Sequence, residues 1–132
     1  MIAPRLPFDR VLYVARIGAE VTKIGSAGPR RVADRIRALS SQHKTGITVV
    51  ALVPSTFQHE TEAVRRFAAL AVAGRREYFR DDGSIAAWVA TLPAAHRCHI
   101  EHAYIGPKGK GPTARRHVPT ITAGACSAVA HA

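Results

Sequence analysis

Residues 11–39 read VLYVARIGAEVTKIGSAGPRRVADRIRAL, and the fold turns on how this stretch doubles back on itself. VLYVARI is a short apolar run rich in Val, Ile and Tyr, the composition of a strand. Gly18-Ala19-Glu20 interrupts the run, which resumes at VTKIG. A three-residue loop containing Gly is a common hairpin connection. It sets Ile17 opposite Val21, Ala15 opposite Lys23 and Tyr13 opposite Gly25. Tyr13 and Lys23 then leave the same face as diagonal neighbours, within reach of one substrate group. A two-residue loop would turn Lys23 to the other face, so the register decides whether the two polar groups meet.

Working outward, residues 26–29 form a small-residue turn, and Pro29 suits the start of a helix. On that helix Val32, Ile36 and Leu39 recur at i, i+4 and i+7 as an inward stripe, with Arg30, Asp34 and Arg37 outward. Arg35 borders the stripe. It is either an edge charge that snorkels to water or a phosphate ligand beside the sheet. SSQHKTG is a polar connection, and ITVVALVP is a buried strand bounded by Gly46 and Pro54. In the next helix Glu60, Val64, Phe67 and Ala71 share one face, whereas Glu62 aligns with Arg65 and Arg66 as a solvated pairing. A carboxylate on an inward face needs a partner, such as a metal ion or a buried Arg. Glu60 is therefore the candidate metal ligand; the alternative is a first-turn carboxylate that only favours the helix dipole. REYFR, residues 76–80, reads as a short strand or extended segment burying Tyr78 or Phe79, and DDGSIAAWVATL as a closing helix with Ile85, Trp88 and Val89 on one face.

The chain of 132 residues suits one domain of modest core with tails: an irregular lead-in over 1–10, a domain over 11–92 and a low-order basic tail over 93–132. It carries 19 Lys and Arg against 9 Asp and Glu, a net charge of +10. Five basic residues and one acidic residue lie in 93–132, so the rest retains a net charge of +6. The basic excess is thus not only a tail effect. A basic domain without a membrane segment most often meets nucleic acid through phosphate neutralisation. The start, MIAPRLPFDR, lacks the apolar core of a signal peptide, and TAGACSAVAHA is too short and mild to span a bilayer. With only Cys98 and Cys126, far apart, the expectation is reduced thiols in a cytoplasmic protein. HRCHIEH, residues 96–102, collects three His, a Cys and a Glu, yet no second paired motif completes a zinc site. GPKGKGPTARRHVP is Gly-, Pro- and basic-rich and is expected to be disordered.

A Tyr on one strand, Lys23-Ile24-Gly25 closing the next, and Arg35 on the following helix together resemble the GIY-YIG nuclease superfamily, in its divergent phage-type branch. HETEAVRRFAALAVAGRREYFR is similar to that branch's helix with a Glu, then a Phe, then a Glu-Trp-Phe ending, here Glu77-Tyr78-Phe79. The resemblance covers roughly residues 11–92. Two departures stand out: Val11 replaces the leading Gly of the first motif, and Lys23 replaces the name-giving Tyr of the second. The resemblance implies a small α/β (α+β) fold, with a three-stranded, mostly antiparallel sheet flanked by helices. It implies a metal-dependent endonuclease acting on DNA, with RNA left open, and a divalent ion, Mg²⁺ or Mn²⁺, held by Glu60. Tyr13 would activate water with Lys23 as the cation beside its phenol, and Arg35 would neutralise the scissile phosphate. Arg31, Arg35 and Lys44 are the candidate nucleic-acid contacts. The alternative is a module of the same fold that grips nucleic acid without cutting it.

Overall fold

The computed structural model describes residues 10–55 and 57–104; residues 1–9 and 105–132, which hold the expected lead-in and most of the basic tail, lie outside the described residues. The hairpin forms from β1 (Arg10–Ile17) and β2 (Val21–Ala27). Its register pairs Ile17 with Val21, Ala15 with Lys23 and Tyr13 with Gly25, as the three-residue loop requires. Gly18 opens that loop at φ 64°, a left-handed conformation that an L side chain resists. The chain continues through α1 (Val32–His43), β3 (Ile47–Ser55) and α2 (Phe57–Arg66). Next come β4 (Ala71–Val72), β5 (Arg75–Arg80), α3 (Ser84–Thr91) and β6 (Arg97–His102).

The sheet is larger than the three strands expected. Among the described residues six strands run in the order β4-β5-β2-β1-β3-β6, each pairing antiparallel. The two edge additions escaped the sequence because β4 is two residues long and β6, RCHIEH, carries only alternating mild residues. β6 pairs with β3, so the sheet extends past Leu92 into the segment expected as tail. Cys98, on β6, is disulfide-bonded, which corrects the expected reduced thiol: a cysteine's place in the sequence gives no sign of what its Sγ can reach. Among the described residues no helix is long and apolar enough to cross a membrane.

Helices cover both faces of the sheet, which is why β1 is apolar at nearly every position rather than at alternate ones. Val11, Tyr13, Ala15 and Ile17 pack with Val32, Ile36 and Leu39 of α1. Leu12 and Val14 face the other way, onto Ala63, Val64 and Phe67 at α2 and Ile85 and Val89 of α3, with Phe79 of β5 fully buried among them. α3 is started by Asp81, whose carboxylate accepts from the backbone N–H of Gly83, Ile85 and Ala86.

Two features of β2 prepare the site. β5 pairs with it only over Val21, Thr22 and Lys23, so the outer edge of residues 24–27 carries no strand among the described residues. And Gly25 makes room for its cross-strand partner: a Cβ built there would stand 2.5 Å from Tyr13 Oη and 2.7 Å from Tyr13 Cζ. The phenol therefore lies flat across Gly25. Gly25→Ala is expected to cost about 1–3 kcal/mol by overpacking, read as a lowered urea midpoint. In a Tyr13→Ala background the same substitution should be close to neutral, and an equal cost in both backgrounds would refute the contact.

Candidate functional site

Tyr13 and Lys23 do emerge on one face, the α1 side of the sheet, and both are buried, 1% and 6% exposed. Arg35, from an outward-tilted position of α1, brings its guanidinium near the Tyr13 phenol, close enough for its charge to favour the phenolate. Burial pushes the Tyr13 pKa up to about 12; the Arg35 charge opposes that rise, and Glu77 and Tyr78 add to it. The phenol is thus neutral at ordinary pH and is not a standing phenolate.

This changes the role expected of Lys23. Its ammonium is held by the Glu77 carboxylate at 2.6 Å, with Lys23 almost wholly buried and Glu77 half exposed. The cation beside the Tyr13 hydroxyl is Arg35. Lys23 Nζ also stands 4.6 Å from the centre of the Tyr78 ring, and the Arg75 guanidinium 5.3 Å from it. Tyr78 Oη and His43 Nε2 are in hydrogen-bond contact at 3.2 Å. Burial, reinforced by the Arg75 and Lys23 charges, lowers the His43 pKa, so its imidazole is neutral at pH 7. The Tyr78 phenol is raised, chiefly by burial. A polar layer of Tyr13, Arg35, Lys23, Glu77, Tyr78 and His43 thus lies between α1 and the sheet.

Glu77, Tyr78 and His43 had no site role in the sequence reading. The sequence places Glu77 and Tyr78 in a strand that buries Tyr78 or Phe79, and the core anchor is one of those two. Phe79 is that anchor, at 0% exposed, but the pairing of Lys23 with Tyr78 across β2 and β5 brings Glu77 and Tyr78 into the layer. The strand 75–80 could be read locally; which strand it joins could not.

Beside this layer, at the open end of β2, lies a cleft of about 460 Å³. Ser26, Ala27 and Gly28 of the β2 end line it together with Arg10 and with Arg31, Asp34, Arg35 and Ala38 at α1. Three arginines against one aspartate leave the lining net positive, which suits phosphate oxygens. Lys44 is not part of it. It caps the far end of α1, nine residues beyond Arg35, or about 14 Å along the helix at 1.5 Å per residue.

Glu60 is half-buried on the inward face of α2, as its spacing with Val64 and Phe67 implies. That face belongs to the other layer of the sheet from Tyr13, Lys23 and Arg35. Glu60 meets the cleft through Ser26, whose hydroxyl donates to Glu60 Oε2 at 2.6 Å. Ser26 in turn accepts from Arg10 Nε at 2.8 Å. Ser26 and Arg10 carried no sequence signal, a small polar residue at a strand end and a lone Arg before an apolar run being commonplace. Among the described residues no group of three or more His, Cys, Asp or Glu side chains could enclose a metal ion. One half-buried carboxylate fits Mg²⁺ only in its usual manner, as a single protein ligand completed by water and substrate phosphate.

Set against models of known protein families, curated proteins and solved structures, the chain matches none.

The raised Tyr13 pKa has a stability consequence. The folded state holds the proton more tightly than the unfolded chain, whose phenol titrates near pH 10. Its contribution is complete below pH 10 and is lost as pH rises from 10 to about 12. Stability should fall across that window, and Tyr13→Phe should make the fall shallower in urea titrations at stepped pH. The same variant should abolish the latest step of tyrosinate absorbance; a last step that survives in Tyr13→Phe would refute the assignment.

Proposed function

We propose that the protein is a metal-dependent endonuclease of GIY-YIG type that hydrolyses DNA phosphodiester bonds. The observation that carries this reading is the Tyr13 phenol laid across Gly25 with the Arg35 charge beside it, next to a cleft lined by Arg10, Arg31 and Arg35 as well as Asp34. Phosphodiester hydrolysis needs charge neutralised at phosphorus, an oriented water and help for the leaving oxygen. Arg35 suits the first task, because its planar fork can take two phosphate oxygens, with Arg31 and Arg10 binding flanking phosphates. Tyr13, kept neutral, orients the attacking water or passes its proton on; its hydroxyl is polarised by Arg35. Lys23, held by Glu77, supports that layer electrostatically. Glu60 would hold a Mg²⁺ or Mn²⁺ ion, whose contribution when bound is to polarise the phosphate and stabilise the leaving oxygen.

A second reading, a nucleic-acid-binding module on the same fold, is favoured by one observation. Glu60 stands behind Ser26 and does not line the cleft, whereas the arginine rim could grip phosphates without it. A plasmid-nicking assay with Mg²⁺ or Mn²⁺ separates the two. The nuclease reading expects metal-dependent nicking by the wild type, reduced about 100-fold or more in Arg35→Ala and in Glu60→Ala. DNA binding should weaken as salt rises. Salt-sensitive binding without any cleavage by the wild type would establish the binding module instead.

A further inference from the structure

A second cavity, of about 350 Å³, lies in the α2 and α3 layer of the sheet and falls within the size range of small-ligand pockets. Leu12, Val53 and Ala63 line it, together with Trp88 of α3 and with His59, Glu62 and Arg66 of α2. Leu12 and Ala63 are buried and Val53 and Trp88 half-buried, whereas His59, Glu62 and Arg66 are exposed. The cavity is therefore apolar at depth and polar at its mouth. Trp88 meets Phe67 edge-on, with ring centres 5.6 Å apart and 61° between the planes, and its indole remains half-exposed where it lines the cavity. Glu62 and Arg66 stand at i and i+4, the spacing at which opposite charges pair along a helix. Among the described residues they form no ion pair, although both line this one cavity. A carboxylate that only accepts and a guanidinium that only donates thus border a half-exposed indole.

This cavity adjoins the arginine-lined cleft. Leu12, which lines the cavity, is the cross-strand partner of Ser26, which lines the cleft. Facing residues of an antiparallel pair stand about 5 Å apart at Cα, so the two openings are separated by little more than one strand spacing. α2 links them a second time, because Glu60, between His59 and Glu62, accepts the Ser26 hydroxyl. A chain whose phosphates lie in the cleft is within reach of the second cavity with one of its bases.

We infer that this cavity takes an unpaired nucleobase, guanine by preference: Trp88 stacks on the ring, Glu62 accepts from its N1–H and N2 amino group, and Arg66 donates to O6 or N7. Guanine suits the pair because it offers adjacent donors to a carboxylate on one edge and adjacent acceptors to a guanidinium on another. Unpaired bases are recognised in this manner, by stacking on an aromatic ring and by hydrogen bonds to their edges. The inference rests on the nucleic-acid reading of the arginine-lined cleft and holds whether the chain cuts or only binds.

Trp88 is the chain's only tryptophan, so its emission reports on this cavity. The full chain, with EDTA present, is titrated with short labelled strands of abasic deoxyribose units bearing one central guanine, one central adenine or no base. Trp88 emission and strand anisotropy are both read. The guanine strand should quench Trp88 and bind about tenfold tighter than the strand with no base. It should also bind about fivefold or more tighter than the adenine strand. Glu62→Gln, at an exposed position, should bring the guanine and adenine affinities together. Arg31→Ala, in the cleft, should weaken all three strands alike. Guanine and adenine bound alike by the wild type overturns the guanine assignment. Salt-sensitive binding of all three strands alike, with Trp88 emission unquenched, overturns the base pocket and leaves the nucleic-acid reading standing. Emission that changes with protein concentration and with no strand assigns the cavity to a second copy of the chain and overturns the base pocket likewise. A wild type that binds no strand overturns the nucleic-acid reading, and this inference falls with it.

Discussion

Tyr13 lies across Gly25 because the hairpin register leaves it nowhere else to go. β1 lies inside the sheet, flanked by β2 and β3 and covered on both faces by helices, so a large polar side chain on it must find its own solution. The absence of a Cβ on the facing residue lets the ring lie across it, and α1, seated on β1 through Val32, Ile36 and Leu39, brings the Arg35 charge beside the phenol. Burial keeps the phenol neutral, and the Arg35 charge only moderates that effect.

The second constraint is the short pairing between β2 and β5. Where the two strands pair, Lys23 is buried beside Tyr78 and needs a counter-ion, which Glu77 supplies. A buried ammonium is tolerated only when paired, and the half-exposed carboxylate reduces the desolvation that a fully buried pair would suffer. Where pairing stops, the strand end opens, and groups from both layers approach the same cavity. Every residue of β2 after Val21 is buried, each in its own way: Lys23 held by Glu77, Gly25 covered by an aromatic ring, Ser26 bonded to Glu60 beside the cleft.

Much of this could be read in one dimension wherever the signal is local. The three-residue loop set the Tyr13, Ala15 and Ile17 pairings, because side chains alternate with a period of two and the loop length admits one register. The stripe of Val32, Ile36 and Leu39, and the inward placement of Glu60 with Val64 and Phe67, followed from the helical period. The part that could not be read is pairwise and distant. Lys23 and Glu77 are 54 positions apart, Ser26 and Glu60 34, and neither pair shares a periodic pattern that would announce it. β4 and β6 escaped for a different reason: an edge strand is made by its neighbour's unpaired hydrogen bonds as much as by its own residues.

What the sequence by itself determined is the hairpin, the inward faces of α1 and α2, and hence that Tyr13 and Lys23 share a side and Arg35 borders it. Each of these depends only on residue order and on the fixed periods of strand and helix. Only the tertiary structure decided which cation serves which group: Arg35 and not Lys23 at the Tyr13 phenol, Glu77 at Lys23, Ser26 at Glu60. It also decided that Glu60 belongs to the opposite layer and that Lys44 stands apart from Arg31 and Arg35. Such choices depend on strand order and on where pairing ends, and those are settled by packing between segments distant in the chain, where local composition carries no information.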